Sequence, residues 1–378
     1  MRPLSCALVP MRSRAALTTR AMARHASFPC ALVTGLLLAG CSSDDTTDVK
    51  TDAQYQADVV SGMHATLATD VQALHQAAVD IQTAAPQPVD RGWDATADAT
   101  ALANLNAMWL RARSSYERIE GALAPIFPDI DAAIDARYED FLEEMAPSGD
   151  QNLFDGEGVT GMHAIERILF VRTTPPSVIS LEESLPGYKA AAFPATAAEA
   201  ADFKNALVAQ LVEDTEFLEQ QWQPQRLATN IGEAFQGLIA LMNEQREKVN
   251  KAASEEEESR YAQRTMQDIR DNLDGTRRVY DLFQPWLETK ADGVEINLKV
   301  QASFDALKAA YAAVNGPAIP PPPATWSSEM PSAADLQTPF GKLYTAIQSA
   351  VDPNEPGSAV EQMNRAATTL GFDEYVEE

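Results

Sequence analysis

His163 and Glu166 stand three residues apart in the stretch Gly161-Met162-His163-Ala164-Ile165-Glu166-Arg167-Ile168-Leu169-Phe170. On a helix that spacing stacks an imidazole and a carboxylate on one face, close enough to grip a single ion. Ile165, Ile168 and Leu169 fall on the neighbouring stripe and would anchor the helix in a core. Taken alone, such a pair is more often a chance His and Glu on the shoulder of a buried helix. An acidic stretch upstream gives it weight. Tyr116-Glu117-Arg118-Ile119-Glu120 places Glu117 and Glu120 on one face, and Ile130-Asp131-Ala132-Ala133-Ile134-Asp135-Ala136-Arg137 places Asp131 and Asp135 one turn apart. Antiparallel packing of the three helices would bring Glu117 or Glu120, Asp135, His163 and Glu166 together. Carboxylates gathered in this way repel one another unless a cation or an arginine neutralises them. Several carboxylates and one imidazole suit iron, manganese, zinc or calcium rather than a thiophilic metal. Arg118 and Arg137 supply the competing expectation, in which the acids form ordinary ion pairs.

The elements that must position these residues are helices. Val59, Met63, Leu67, Val71, Leu74, Ala78 and Ile81 recur at threes and fours until Pro86 and Pro88. A second helix is expected over 97–121, and a third over 130–145, ending before Pro147-Ser148-Gly149. A fourth carries His163 and stops at Pro175-Pro176. After a loop with Pro186, Gly187 and Pro194, helical periodicity returns over 198–222, 227–253, 258–288 and 297–314. A Pro-rich connector at 316–323 precedes two shorter helices, 334–351 and 357–370. No stretch alternates with period two for long enough to make a strand. The class is all-α, and the helix count suggests two side-by-side helical bundles, 53–176 and 177–378.

Residues 1–40 hold five arginines and no acid, and end in an apolar run before Cys41. A basic start, a short apolar core and small residues at the cleavage point make a secretory signal. Leu38-Ala39-Gly40-Cys41 has the form of a bacterial lipobox, with Cys41 acylated and residues 42–52 a flexible polar tether. The expected place is the cell envelope, anchored through lipid and facing the periplasm. Ser42 after the cysteine favours the outer membrane over the inner. Met22 is an alternative start. Of three cysteines only Cys41 follows the leader, so no disulfide framework forms in the mature chain. The 378 residues carry 29 Lys and Arg against 55 Asp and Glu, a formal charge of −26. That balance excludes a nucleic-acid partner, which needs a basic face.

At these residues the chain resembles the imelysin-like family. Tyr116 to Glu120, Ile134-Asp135-Ala136-Arg137 and Gly161-x-His163-x-x-Glu166 carry the likeness, with Glu258-Ser259-Arg260-Tyr261 and Asp268-Ile269-Arg270-Asp271-Asn272-Leu273-Asp274-Gly275 in support. It runs over about 55–372 and is nearest to the peptidase-like domains of EfeO-type iron-uptake proteins. The resemblance implies paired helical bundles and a periplasmic or lipid-anchored protein that binds a metal ion or metal complex for uptake, with partners in the envelope. It assigns the metal-site role to Glu117, Glu120, Asp135, His163 and Glu166, and adds Glu244. Two departures stand out. Where EfeO-type proteins show Tyr-Ser-His-x-Asp, this chain has Tyr261-Ala262-Gln263-Arg264-Thr265. The cupredoxin-like domain of longer members has no counterpart ahead of the first helix.

Two other functions compete with metal uptake. One is a metallopeptidase of the imelysin type, although the chain has no H-E-x-x-H, no H-x-x-E-H and no G-x-S-x-G. The other is a polysaccharide- or partner-binding scaffold that holds a structural cation. His64 and His75 share a helix face about three turns apart, too far to share an ion. Glu255-Glu256-Glu257-Glu258 reads as a solvated helix start. The five tryptophans read as core or interface anchors.

Overall fold

A capping box starts the longest helix: Gln54 donates its amide to Thr51 Oγ1 and Thr51 donates its amide to Gln54 Oε1. This α1 (Asp52–Ala84) buries Val59, Met63, Leu67, Val71, Leu74, Ala78 and Ile81, the stripe read from spacing. It ends where Ala85 turns extended ahead of Pro86. The computed structural model describes residues 50–138 and 152–376. The signal segment, Cys41, most of the tether and the stretch 139–151 lie outside the described residues.

Helices follow in the order α2 (Ala99–Glu117), α3 (Glu120–Ile126), α4 (Pro128–Asp135), α5 (Gly161–Leu169), α6 (Pro176–Glu182) and α7 (Ala197–Asp202). After a π turn at Phe203–Leu207 come α8 (Val208–Gln221), α9 (Pro224–Thr229), α10 (Ile231–Ala252), α11 (Thr265–Leu287) and α12 (Gly293–Ala312). A single 3₁₀ turn, Asp335–Gln337, leads to α13 (Pro339–Val351) and α14 (Ala359–Leu370). No strand occurs among the described residues, and the class is all-α. Lys50 onward forms one compact unit. In it α1 packs on α2, α8 and α11, α3 on α10, and α12 on α14. No described helix is long and apolar enough to cross a membrane.

Four differences from the sequence expectation bear on the site. The helix expected over 97–121 breaks at Arg118-Ile119 and restarts as α3. Gly275 of α11 packs against that break: a Cβ there would lie 2.2 Å from the Arg118 carbonyl oxygen. The helix expected from Ile130 onward stops at Asp135, where Ala136 turns extended (φ −56°, ψ 134°). Gly161, at φ +81°, abuts its end, since a Cβ there would meet the Ile134 carbonyl oxygen at 2.6 Å. That contact sets the start of α5 against the end of α4. The helix expected from residue 258 begins only at Thr265. Residues 253–264 instead form a folded-in turn with Glu255 and Gln263 at positive φ. A short helix, α6, occupies part of the stretch taken for loop.

Candidate metal centre

Seven elements deliver charged side chains to one buried region. Arg113, Tyr116 and Glu117 come from α2, Glu120 from α3, Asp131 and Asp135 from α4, and His163 and Glu166 from α5. Glu244 and Lys248 come from α10, Glu258 from the turn at 253–264, and Asp268 and Asn272 from α11. Glu117, Glu120, His163, Glu166, Lys248, Glu258, Asp268 and Asn272 are all buried.

The α4–α5 junction places Asp135 against His163, whose Nε2 lies 3.3 Å from Asp135 Oδ1. His163 Nδ1 meets Glu166 Oε2 at 2.8 Å, while Glu166 Oε1 accepts the backbone amides of Tyr261 at 3.1 Å and Ala262 at 2.8 Å. Both Glu166 oxygens are therefore spent on holding the ring and the turn, and Glu166 stands behind His163 rather than facing the other acids. A carboxylate on the far nitrogen fixes the tautomer and aim of an imidazole whose near nitrogen binds a metal. The turn is pinned a second time: Tyr261 donates its hydroxyl to Glu182 Oε1 at 2.5 Å, and Arg167 grips the same carboxylate with Nε and Nη2.

Asp135, His163 and Glu258 offer one donor atom each within 4.8 Å of one another, and so do Glu117, Glu120 and Glu258. Two internal cations run through these sets. Arg113, with no exposed surface, reaches Glu117 Oε1 and Glu258 Oε1 at 2.5 Å each and pairs with Asp135. Lys248 Nζ lies 2.6 Å from Glu258 Oε2 and 3.7 Å from Glu244 Oε1. Asn272 donates to Glu117 Oε2 and Glu120 Oε2 at 2.7 and 2.8 Å.

The electrostatics follow from burial set against pairing. Burial pushes Glu117 and Glu120 well above the usual carboxylate range, despite Arg113 and Lys248. Burial also raises Asp131 to about 7, although Tyr116 donates its hydroxyl to it at 2.6 Å. Burial acts in the same direction on Glu258 and Asp135 but loses there. Lys248 and Arg113 hold Glu258 below its ordinary value, and Arg113 and His163 do so for Asp135. His163 is pushed down by burial and up, to about 9, chiefly by the Asp135 carboxylate.

Of the residues singled out, Asp135 and His163 share one donor set and Glu117 and Glu120 another; Glu166 stands behind His163, and Asp131 and Glu244 belong to neither set. Glu244 stands at the rim, its side chain 38% exposed. The reading of Glu255 to Glu258 as a solvated helix start is overturned, because Glu257 and Glu258 are buried and Glu258 belongs to both donor sets. The amides around it are turned inward to Glu166, so no helix begins there. Arg113, rather than Arg118, is the arginine in contact with these acids, and Arg137 adds to the field that holds Glu258 down. Arg118 pairs with Asp70 and Asp271, and Arg137 donates to the Glu256 carbonyl oxygen. Arg113 and Lys248 were missed, although each stands four residues from a partner acid, Glu117 and Glu244, the spacing of a helical ion pair. His75 Nδ1 meets Thr215 Oγ1 at 3.2 Å and belongs to neither donor set.

Known proteins resemble this chain in sequence and in fold. The family model Peptidase_M75, imelysin, matches residues 62–336. The chain is 28% identical over 213 residues to the iron uptake system component EfeO of Yersinia pseudotuberculosis serotype I (strain IP32953), covering 56% of this chain and 45% of that protein. It is 26% identical over 213 residues to the EfeO of Escherichia coli (strain K12), with the same coverage. The match thus spans less than half the length of these relatives. An imelysin-like protein from Psychrobacter arcticum 273-4 has the same fold, with a TM-score of 0.52, 12% identity, and coverage of 86% of this chain and 98% of its own.

Proposed function

This chain belongs to the imelysin family, and we propose that it captures a metal ion, iron foremost, for uptake across the cell envelope. The observation that carries this reading is the trio Asp135, His163 and Glu258. Its donor atoms lie within 4.8 Å of one another, with the imidazole aimed by Glu166. The donor set fits the cargo: two carboxylate oxygens and one imidazole nitrogen suit a hard or borderline cation. His163 Nε2 faces Asp135 Oδ1 at 3.3 Å inside the protein, so the two atoms can share one ion once the ring gives up its proton. Iron is favoured over zinc, manganese or calcium because the similar EfeO proteins are named as iron uptake components. The lipobox at Leu38 to Cys41 supports a lipid-anchored, periplasm-facing protein that hands its ion to a partner in the envelope.

A capture role suits the cluster better than peptide hydrolysis. Glu166, the carboxylate next to His163, is committed to the Tyr261 and Ala262 backbone amides and to the imidazole. Hydrolysis needs an uncommitted base beside the metal.

Titration calorimetry of the purified protein with ferric citrate and with Mn²⁺, for wild type, His163→Ala and Glu258→Gln, tests the assignment. Binding to wild type with at least tenfold loss in both variants is expected. Equal heats in all three would remove the site.

A further inference from the structure

Glu258 reaches the metal centre from a turn whose backbone is strained at both ends. Glu255 and Gln263, one on each side of Glu258, stand at φ +66° and +53°. Residues other than glycine keep that left-handed region only where their surroundings impose it. Here α5 imposes it through two consecutive residues. Glu166 accepts the Tyr261 and Ala262 amides. Arg167 acts through an intermediary: its Nε and Nη2 hold the Glu182 carboxylate at 2.9 to 3.1 Å, and Glu182 Oε1 accepts the Tyr261 hydroxyl. Arg167, Glu182 and Tyr261 are all buried. The guanidinium is fixed in its turn by the Lys189 carbonyl oxygen, 2.6 Å from Nη2, and by the Tyr138 ring, whose centroid lies 3.8 Å away.

We propose that Tyr261 and Glu182 are positioning residues of the metal centre, which set the place of Glu258 relative to His163, and with it the affinity for the ion, without touching the ion. The proposal rests on the metal-capturing reading above, with Glu258 as a ligand. Neither residue belongs to a donor set. His163 and Arg167 lie one turn apart on α5, so one rigid segment carries the imidazole and also the anchor of the turn that brings Glu258. Tyr261 follows Glu258 by three positions, so a turn released at the ring can relax its strained ends and carry the carboxylate away. Small movements matter, because metal–ligand distances tolerate only about 0.2 Å. Stability alone does not account for the relay. A buried carboxylate–guanidinium pair is often matched or bettered by apolar side chains of the same volume. What an apolar pair cannot do is hold a hydroxyl at a defined point.

Calorimetric titration of the purified protein with Mn²⁺ tests this as a double-mutant cycle on wild type, Tyr261→Phe, Glu258→Gln and the double variant. Tyr261→Phe removes one hydroxyl and leaves both Glu182 oxygens on Arg167, so wild-type circular dichroism is expected. In the wild-type background it should lower affinity about tenfold. In the Glu258→Gln background it should change affinity less than about twofold, because the ligand it positions is already gone. Should Tyr261→Phe fail to fold, Arg167→Met with Glu182→Leu, which removes the charge pair whole, replaces it in the same cycle with the same expectations. Equal losses in both backgrounds would show an effect on the fold rather than through Glu258 and would overturn the proposal. Unchanged affinity in the folded variant would do the same, and both results leave metal capture standing. No binding to wild type would instead remove the metal-capturing reading and the proposal with it.

Discussion

The two ends of α11 live in opposite surroundings. Its N-terminal turns present Asp268 and Asn272 to the charged cluster. Its C-terminal turns present Tyr280, Phe283 and Trp286 to a dry aromatic core. There Phe235 and Phe283 meet edge to face at 4.8 Å, Tyr280 and Phe304 at 5.6 Å, and Trp286 and Phe372 at 5.8 Å. Rings stabilise by area removed from water and by edge-to-face contact. Buried ions lose hydration and regain it only in part through their partners. The aromatic end therefore holds the helix in place, and the charged end is carried at a cost that a function explains.

Variants can break this contrast. Phe283→Ala is expected to have the largest effect, about 3–5 kcal/mol of lost stability in urea unfolding, with Mn²⁺ stoichiometry unchanged in the folded fraction. A loss of metal binding without a loss of stability would erase the distinction between the two ends. Arg113→Met follows, also at about 3–5 kcal/mol, because Glu117, Asp135 and Glu258 lose their shared partner. Its loss should shrink on adding Mn²⁺, whereas that of Phe283→Ala should shrink far less. Equal responses to the ion would show that the cluster is not where it binds.

Smaller changes sharpen the picture. Glu166→Gln keeps the shape of the side chain but removes the charge that aims His163, so metal affinity should fall about 10- to 100-fold with little change in melting temperature. Calorimetry beside a thermal melt separates the two effects. Asp131→Asn should have the smallest effect, and its sign depends on pH. The Asp131 pKa is raised to about 7 in the fold, so the unfolded chain releases this proton at lower pH than the folded chain does. The wild type accordingly loses stability as pH rises from about 4 to 7, and that loss is complete above 7. Because Asp131 is only partly enclosed, the variant should gain about 1 kcal/mol at pH 8, with the gain shrinking toward pH 5. A gain that grows with acidity would contradict the raised value.

Much of the scaffold was legible from residue spacing. The α1 stripe needs no tertiary information, because Val59 to Ile81 recur at helical intervals and Pro86 supplies the stop. The gathering of Glu117, Glu120, Asp135 and His163 in one region was legible too, from three short-range patterns on three expected helices. What escaped were the places where the chain departs from regular periodicity. Nothing local marks the break at Arg118-Ile119, which Gly275 of a distant helix permits. Nothing local turns the amides of Tyr261 and Ala262 toward Glu166, almost a hundred residues earlier. A run of four glutamates is normally solvated. Only the inward fold of residues 253–264 brings Glu258 between Arg113 and Lys248.

Helical class, the apolar stripes and the kinds of donor atom were settled by residue order, because each rests on interactions within three or four positions along the chain. Tertiary structure alone decided which charges neutralise which. In water Arg113 and Lys248 would be two cations among 29. Enclosed beside Glu117, Glu120, Asp135 and Glu258, they become the partners of those acids, because charges removed from solvent answer to their immediate neighbours.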